Sequence, residues 1–262
     1  VTDIVYVVGA EARNDPLHYS LRSLANLPHH RVWIAGYQPD WVQGVTHIPV
    51  IQGRGKHANT WANWRAIAEH GPEDFLLFND DFFVMAPTRE VPVWHRGGLD
   101  KAIAGYLNTP ALVNWRRRAE AARTGLVQLG RNRAELNWFE LHTPMPMNRT
   151  LLRAALADLD RVRDRAHLYY AKRTWYGNHA GIGGTERSDC KTPHTSGKHL
   201  TEARFTPFLS TSDRSWRGAA GDLVRATFTT PGPYEIPREA RRGRVRDSGR
   251  DRDRQRAAAA HR

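Results

Sequence analysis

The chain of 262 residues contains a single cysteine, Cys190. One thiol excludes an internal disulfide and any cysteine-rich metal centre, and it suits a reducing compartment. No thiol-enzyme motif surrounds Cys190, so it is not read as a nucleophile. Long apolar runs are also lacking. None approaches the roughly 20 residues that cross a bilayer, so no membrane span is expected. The opening stretch VTDIVYVVGAEAR carries Asp3, Glu11 and Arg13 with no basic leader before its apolar part. It reads as a first strand rather than a signal peptide. Lysine is scarce too: only Lys56, Lys101, Lys172, Lys191 and Lys198 stand among 39 basic residues. So strong an arginine bias, beside abundant alanine and glycine, fits GC-rich coding and weakens any reading of the basic residues as a nucleic-acid stripe.

The net charge of +12 is unevenly spread. Residues 238–262 hold ten arginines against Glu239, Asp247, Asp251 and Asp253, so half of the excess lies in this tail. The tail has almost no apolar residues and mixes both signs of charge, which is the composition of a disordered segment. The whole chain is 40% hydrophobic, with nine Trp, eight Tyr and eight Phe, enough to fill a core. We therefore expect one domain over 1–237, with a sheet core over about 1–95 and a helical and irregular part over about 96–237.

The first part has a clear order. DIVYVVGA (3–10) reads as a buried strand ending at Gly9. NDPLHYSLRSLANLP (14–28) reads as a helix with Asp15 as cap, Pro16 in the first turn and Leu17, Leu21 and Leu24 on one face. Strands follow at RVWIAG (31–36) and VTHIPV (45–50), then a helix at 58–70 and a strand at DFLLF (74–78). That alternation predicts an α/β domain with a mainly parallel sheet. Further on, 99–108 and 115–129 read as helices, and 141–165 as a loop followed by an amphipathic helix. RTWYGNHAGIGGTERSDCKTPH (173–194) shows no period, and FTPFLSTSDRSW (205–216) reads as a loop before a short last element at 221–228. GIGGTE lacks the strand and spacing of a phosphate-binding fingerprint.

FLLFNDDFFV (75–84) sets two adjacent carboxylates inside an apolar run. Burying one ionised carboxylate unpaired is costly, and a neighbouring one raises the cost further. Asp80 and Asp81 must therefore turn out at a strand end, pair with cations, or hold a metal. In open α/β sheets ligands bind beyond the carboxyl ends of the strands. There the two acids would offer hard oxygen ligands to Mg²⁺ or Mn²⁺. In the plainer alternative Asp80 caps a turn and Asp81 pairs with an arginine. The aromatic residues on both sides, which anchor the pair rigidly, favour a site.

FLLFNDDFFVMAP resembles the FNDDFF-type segment of the Stealth proteins, sugar-phosphate transferases that include capsular polysaccharide phosphotransferases. RNDPLHYSLRSL (13–24), QPDW in VWIAGYQPDWV (32–42), and LHTPMPMNRTLLRAAL (141–156) resemble further blocks of that family in order. Where the family carries an acid after its first strand, Glu11 is the acid present. RTWYGN and FLSTSDRSW are similar to segments of small glycosyltransferase-like phage proteins. Both resemblances imply a GT-A-type fold, a nucleotide-sugar donor such as a UDP-sugar, a divalent metal, and a glycan or protein acceptor. They also imply the cytoplasm of a bacterial or phage-infected host cell. They imply roles as well: Asp80 and Asp81 at the metal, with Asp81 catalytic; Arg13, Gly9, Asn79 and Asp80 around the donor; and His142 as metal ligand or general base.

Other residues compete for these roles. Arg22 is expected to pair internally, with Asp80 as one partner. Asp213 in STSD is a late acid that would serve as catalytic base or as a helix cap, a role Thr211 and Ser212 could equally fill. Asp189 and Lys191 lie in an irregular segment of the kind that often carries function. His179 and His194 lie in a polar, glycine-rich stretch that could cover a site. The tryptophans at 61, 64, 138, 175 and 216 could stack on a sugar or base, although most are expected in the core. Two rival functions remain: a nucleic-acid-associated protein acting through the 238–262 tail, and a non-catalytic sugar-binding relative.

Overall fold

The computed structural model describes residues 1–11, 13–53, 55–105, 110–162, 171–192, 200 and 207–237. The expected disordered tail, His194, and residues 163–165 of the predicted 141–165 segment lie outside the described residues. The elements run β1 (Thr2–Val8), α1 (Asp15–Ser23), β2 (His29–Gly36), β3 (Thr46–Pro49), α2 (Lys56–His70), β4 (Asp74–Asn79), β5 (Phe82–Val84) and β6 (Trp94–His95). They continue with α3 (Leu99–Gly105), α4 (Pro110–Gln128), β7 (Met145–Asn148), α5 (Arg149–Leu159), α6 (Lys172–Ala180), β8 (Thr185–Glu186) and β9 (Lys191–Thr192). β10 (Phe208–Thr211), α7 (Asp213–Trp216) and α8 (Ala219–Thr227) follow.

Five strands form the main sheet in the order β3-β2-β1-β4-β7. β1 pairs in parallel with β2 on one side and β4 on the other, and β2 pairs in parallel with β3. β7 closes the other edge antiparallel to β4. The chain runs from β1 out to β3 and then crosses back to β4, so the order reverses between β1 and β4. That switch leaves a crevice at the carboxyl ends of those two strands. Both faces of the sheet are covered, which explains the near-continuous apolar strands. Val5, Phe75 and Leu77 face a cluster with Trp61 and Ile67 of α2, Leu152 of α5 and Trp175 of α6. Ile4, Tyr6, Leu76 and Phe78 face Leu17 and Leu21 of α1.

A second, three-stranded sheet has the order β5-β10-β9. It is tied to α1 by side-chain hydroxyls. Tyr6 and Ser20 share a hydrogen bond of 2.9 Å, Ser20 donates onward to the Phe82 carbonyl, and Ser23 accepts from the Val84 amide at 3.0 Å. Tyr6 is fully buried and burial pushes its phenol up, so it remains a neutral donor.

Several local expectations change. Asn14, not Asp15, caps α1: its side chain accepts from the Leu17 amide, and its backbone is left-handed at φ 35°. Asn tolerates that region, while Asp15 in the first turn favours the helix dipole. The expected loop at 141–148 contains strand β7, because pairing with β4 supplies hydrogen bonds that a four-residue pattern cannot advertise. The stretch read as having no period contains α6, whose residues Arg173 to Asn178 are all buried. Because that buried stretch includes Arg173, Thr174 and Asn178, polar residues there do not mark a solvent face. Gly177 fits there because a Cβ would sit 2.6 Å from the Phe139 ring. The expected loop at 205–216 contains β10 and α7.

Candidate active site

The strand β4 ends at Asn79, which pairs with Val7 of β1, so Asp80 and Asp81 emerge at the switch crevice. Gly9 and Glu11 lie beside them at the end of β1, both exposed. A Cβ on Gly9 would meet nothing within 4 Å, so the strand end opens on free space. Across the neighbouring strand end, Gly36 has φ 112° and a Cβ there would lie 2.2 Å from the Val8 carbonyl. Only glycine lets β2 approach β1 so closely at the crevice.

The two acids have different partners. Asp80 Oδ2 accepts from Asn14 Nδ2 at 2.8 Å. Burial, and then the charge of Asp81, push the Asp80 carboxyl up to about 6, against the opposing pull of Asn14. Asp81 Oδ2 faces Lys191 Nζ at 3.5 Å and accepts from Ser210 Oγ at 3.3 Å. Asp81 thus has a lysine rather than the arginine of the plainer alternative. Arg22 does not reach Asp80. It forms a two-pronged pair with Glu235, at 2.6 and 2.9 Å, because α1 packs against the closing segment around Tyr234 and Ile236.

His142 enters from the loop before β7. Its Nδ1 is 2.8 Å from Asp189 Oδ2, and its backbone amide donates to Asp189 Oδ1 at 3.0 Å. Burial opposes ionisation of Asp189, but these hydrogen bonds and the nearby Arg96 outweigh it and hold the carboxyl below its usual range. A carboxylate on Nδ1 selects the tautomer that leaves Nε2 as the acceptor. Next to Asp189, Cys190 donates its thiol to the His142 carbonyl at 2.9 Å, and burial pushes that thiol up, which disfavours the nucleophilic thiolate. Arg173, 7% exposed, donates to the Thr143 carbonyl at 2.6 Å and lies 5.2 Å over the Phe82 ring. Burial disfavours its charged form, while the carboxylates of Glu140, Asp189 and Asp81 favour it.

The remaining expectations fall elsewhere. Arg13 is exposed and makes no hydrogen bond or ion pair among the described residues; its neighbour Asn14 makes the contact. Asp213 is exposed in the first turn of α7, and Ser212 caps that helix through a reciprocal pair with Ser215. No bond among the described residues joins Asp213 to the carboxylate pair. Trp61, Trp64, Trp138 and Trp175 are core residues, and Trp216 lies between Phe83 and Arg225. His179 belongs to α6 and bonds Asp158. Asn14, Ser210 and Arg173 were missed. Asn14 was legible as Asn-Asp-Pro after a strand, the start of a capped helix. Ser210 and Arg173 reach the site through pairings that no local pattern displays.

For a metal, the site offers the oxygens of Asp80 and Asp81. Among the described residues no group of three His, Cys, Asp or Glu side chains is gathered to hold an ion. Two crowded carboxylates, one of them pushed up by burial and the other's charge, are a donor set that a hard divalent cation fits, with phosphate and water oxygens completing its shell. No helix among the described residues is long and apolar enough to cross a membrane.

No protein-family model matches the chain, and no curated protein matches it. Solved structures do. An active-site mutant of LgtC superposes with a TM-score of 0.51 at 12% identity, covering 91% of this chain and 99% of that one. A structure of the galactosyltransferase LgtC with donor and acceptor sugar analogs has a TM-score of 0.49 at 12% identity, with the same coverage. The likeness is one of fold: a mixed α/β domain of GT-A type, with a mostly parallel sheet and a helical C-terminal part.

Proposed function

We propose that the chain is a nucleotide-sugar-dependent glycosyltransferase. The observation that carries the reading is the placement of Asp80 and Asp81 at the carboxyl ends of β1 and β4, where the strand order reverses, in a GT-A-type fold. Asp80 and Asp81 would hold Mg²⁺ or Mn²⁺, which when bound neutralises the departing diphosphate. Asn14 fixes Asp80 in place. His142, with Nδ1 held by Asp189, presents Nε2 as the base for an acceptor hydroxyl. Arg173 anchors the Thr143 carbonyl and so the loop that carries His142.

A second reading, transfer of a sugar phosphate, draws on one further observation. Asn14, Asp80, Asp81 and His142 come from three of the four segments that resemble the Stealth blocks, and contacts through Asp80 and Phe82 bring those segments together. Both readings share the site and differ in the atom attacked.

The test is release of UDP and of UMP from a panel of UDP-sugars by the full chain, with Mn²⁺ or with EDTA. UDP released with Mn²⁺, lost in EDTA and reduced about 10²-fold or more in Asp81→Ala, is the expected result. UMP in place of UDP would convert the reading to sugar-phosphate transfer. Neither product, with no donor bound, would end both.

A further inference from the structure

Three adjacent strands place Asp81, Ser210 and Lys191 in a row. Ser210 of β10 is paired with Phe82 of β5 on one side and with Lys191 of β9 on the other. Asp81 immediately precedes Phe82. The same oxygen, Asp81 Oδ2, therefore meets Ser210 Oγ at 3.3 Å and Lys191 Nζ at 3.5 Å. The lysine backbone is pinned, since its amide donates to Asp189 Oδ1 at 3.3 Å. Its side chain is not enclosed: it is 28% exposed, on a flexible four-carbon stem with a compact charge. Asp80 has a neutral partner, Asn14. Among the described residues, Lys191 supplies the one ion pair to the two carboxylates.

We propose that Lys191 competes with the divalent cation for Asp81, and thereby makes metal binding depend on the donor's diphosphate. This rests on the transferase reading above and deepens it. A cation on Asp81 would lie a few ångströms from the ammonium, and like charges at that range repel strongly in a partly buried site. The ammonium must swing away, and in doing so it loses the one ion pair it makes among the described residues. A nucleoside diphosphate arriving at the same crevice offers it new acceptor oxygens. Metal and diphosphate then bind cooperatively, each strengthening the other by the same factor. Lysine suits this exchange because its single point charge can pass from one oxygen cluster to another, which a bidentate arginine does less readily.

The experiment is a titration of the full chain with Mn²⁺, with and without UDP, following free Mn²⁺ by electron paramagnetic resonance. The wild type is compared with Lys191→Met and Lys191→Arg. Wild type is expected to bind Mn²⁺ weakly alone and more tightly with UDP. Lys191→Met, which keeps the stem and removes the charge, is expected to bind Mn²⁺ alone about tenfold more tightly and to lose a similar factor of the UDP enhancement. Lys191→Arg, which keeps the charge but grips Asp81 with a fork, is expected to bind Mn²⁺ alone no more tightly than wild type and to show a smaller UDP enhancement. Equal Mn²⁺ affinity in wild type and Lys191→Met overturns the inference and leaves the transferase reading standing. No Mn²⁺ binding in any variant, with or without UDP, overturns both.

Discussion

Two histidine–aspartate pairs sit in the C-terminal half and share one hydrogen-bond length. His142 Nδ1 and His179 Nε2 each lie 2.8 Å from an aspartate oxygen. Their surroundings separate them. His142 is 29% exposed on a loop, and its Nε2 makes no hydrogen bond among the described residues. Its aspartate lies two residues before Lys191, which reaches Asp81. His179 is 10% exposed near the end of α6, its carbonyl is taken by Arg131, and its Nδ1 is buried with no partner among the described residues. A general base needs a nitrogen that a substrate hydroxyl can reach. Among the described residues His142 keeps Nε2 free of hydrogen bonds on a half-buried ring, whereas the second nitrogen of His179 is buried. The pairing of two residue types decides little, and what the second nitrogen faces decides the chemistry.

Substitution should split the pairs most widely in turnover. Under the proposed function, His142→Gln is expected to lower the rate about 10²- to 10⁴-fold, as loss of a general base does. His179→Gln should leave turnover near wild type and instead cost about 1–3 kcal/mol of stability through its lost buried bond. Donor turnover and urea melts on both variants check this. Equal losses of rate in the two would remove the distinction. A narrower version uses the aspartates. Asp189→Asn should cost about 10- to 100-fold in rate, the range for groups that orient a reacting side chain. Asp158→Asn should leave the rate unchanged. If Asp189→Asn leaves the pH–rate profile untouched, Asp189 does not hold the tautomer of His142.

The contrast also shows what a sequence discloses. Asp80 and Asp81 stand out in the sequence because they interrupt an apolar run with groups that need partners, and His142 because its block resembles a Stealth segment. The strand and helix order through β4 was legible because buried parallel strands and capped helices have strong local periods. The partner of His142 was seen only as an acid in an irregular stretch. Asp189 is 47 residues away, and its approach depends on how β9 docks beside β10. α6 escaped because its buried stretch includes Arg173, Thr174 and Asn178, so polar residues do not mark a solvent face. Arg13 entered through the resemblance, whereas its neighbour Asn14 performs two tasks at once, capping α1 and holding Asp80.

A third pair, His18 with Glu235 at 2.9 Å, extends the comparison to the fold's own electrostatics. His18 stacks on Trp41 with ring centres 3.4 Å apart, and Arg22 adds its fork to the same carboxylate. Burial opposes ionisation of Glu235, but the bonds from Arg22 and His18 outweigh it and hold the carboxyl down at about 2. A depressed carboxyl stabilises the fold fully above its ordinary value, near 4.5, and loses that contribution as pH falls through about 2. The contribution is on the order of 3 kcal/mol. Arg22→Ala should therefore destabilise by about 3–5 kcal/mol at pH 7, since it leaves Glu235 poorly compensated. The deficit should shrink as pH falls towards 2. Thermal melts across that range check it, and a deficit independent of pH would mean that Arg22 acts by packing alone.

Asp80 is the opposite case, a carboxyl that burdens the fold. Its value is raised from 3.8 to about 6, by burial first and by Asp81 second. A raised acid favours the folded state while it stays protonated. That advantage is present below about pH 4 and is lost as pH climbs through about 6. Above that, ionisation costs up to about 3 kcal/mol. Asp80→Asn keeps an oxygen for Asn14 and discards the charge. In EDTA the variant should be more stable than wild type by about 1–3 kcal/mol at pH 8 and equal to it near pH 4. Mn²⁺ with UDP should reverse the order at pH 8, because a ligand that binds the folded wild type adds stability that the variant cannot gain. Greater stability of wild type at pH 8 in EDTA would show that the protein itself satisfies Asp80, and the case for a cation there would rest on Asp81 alone.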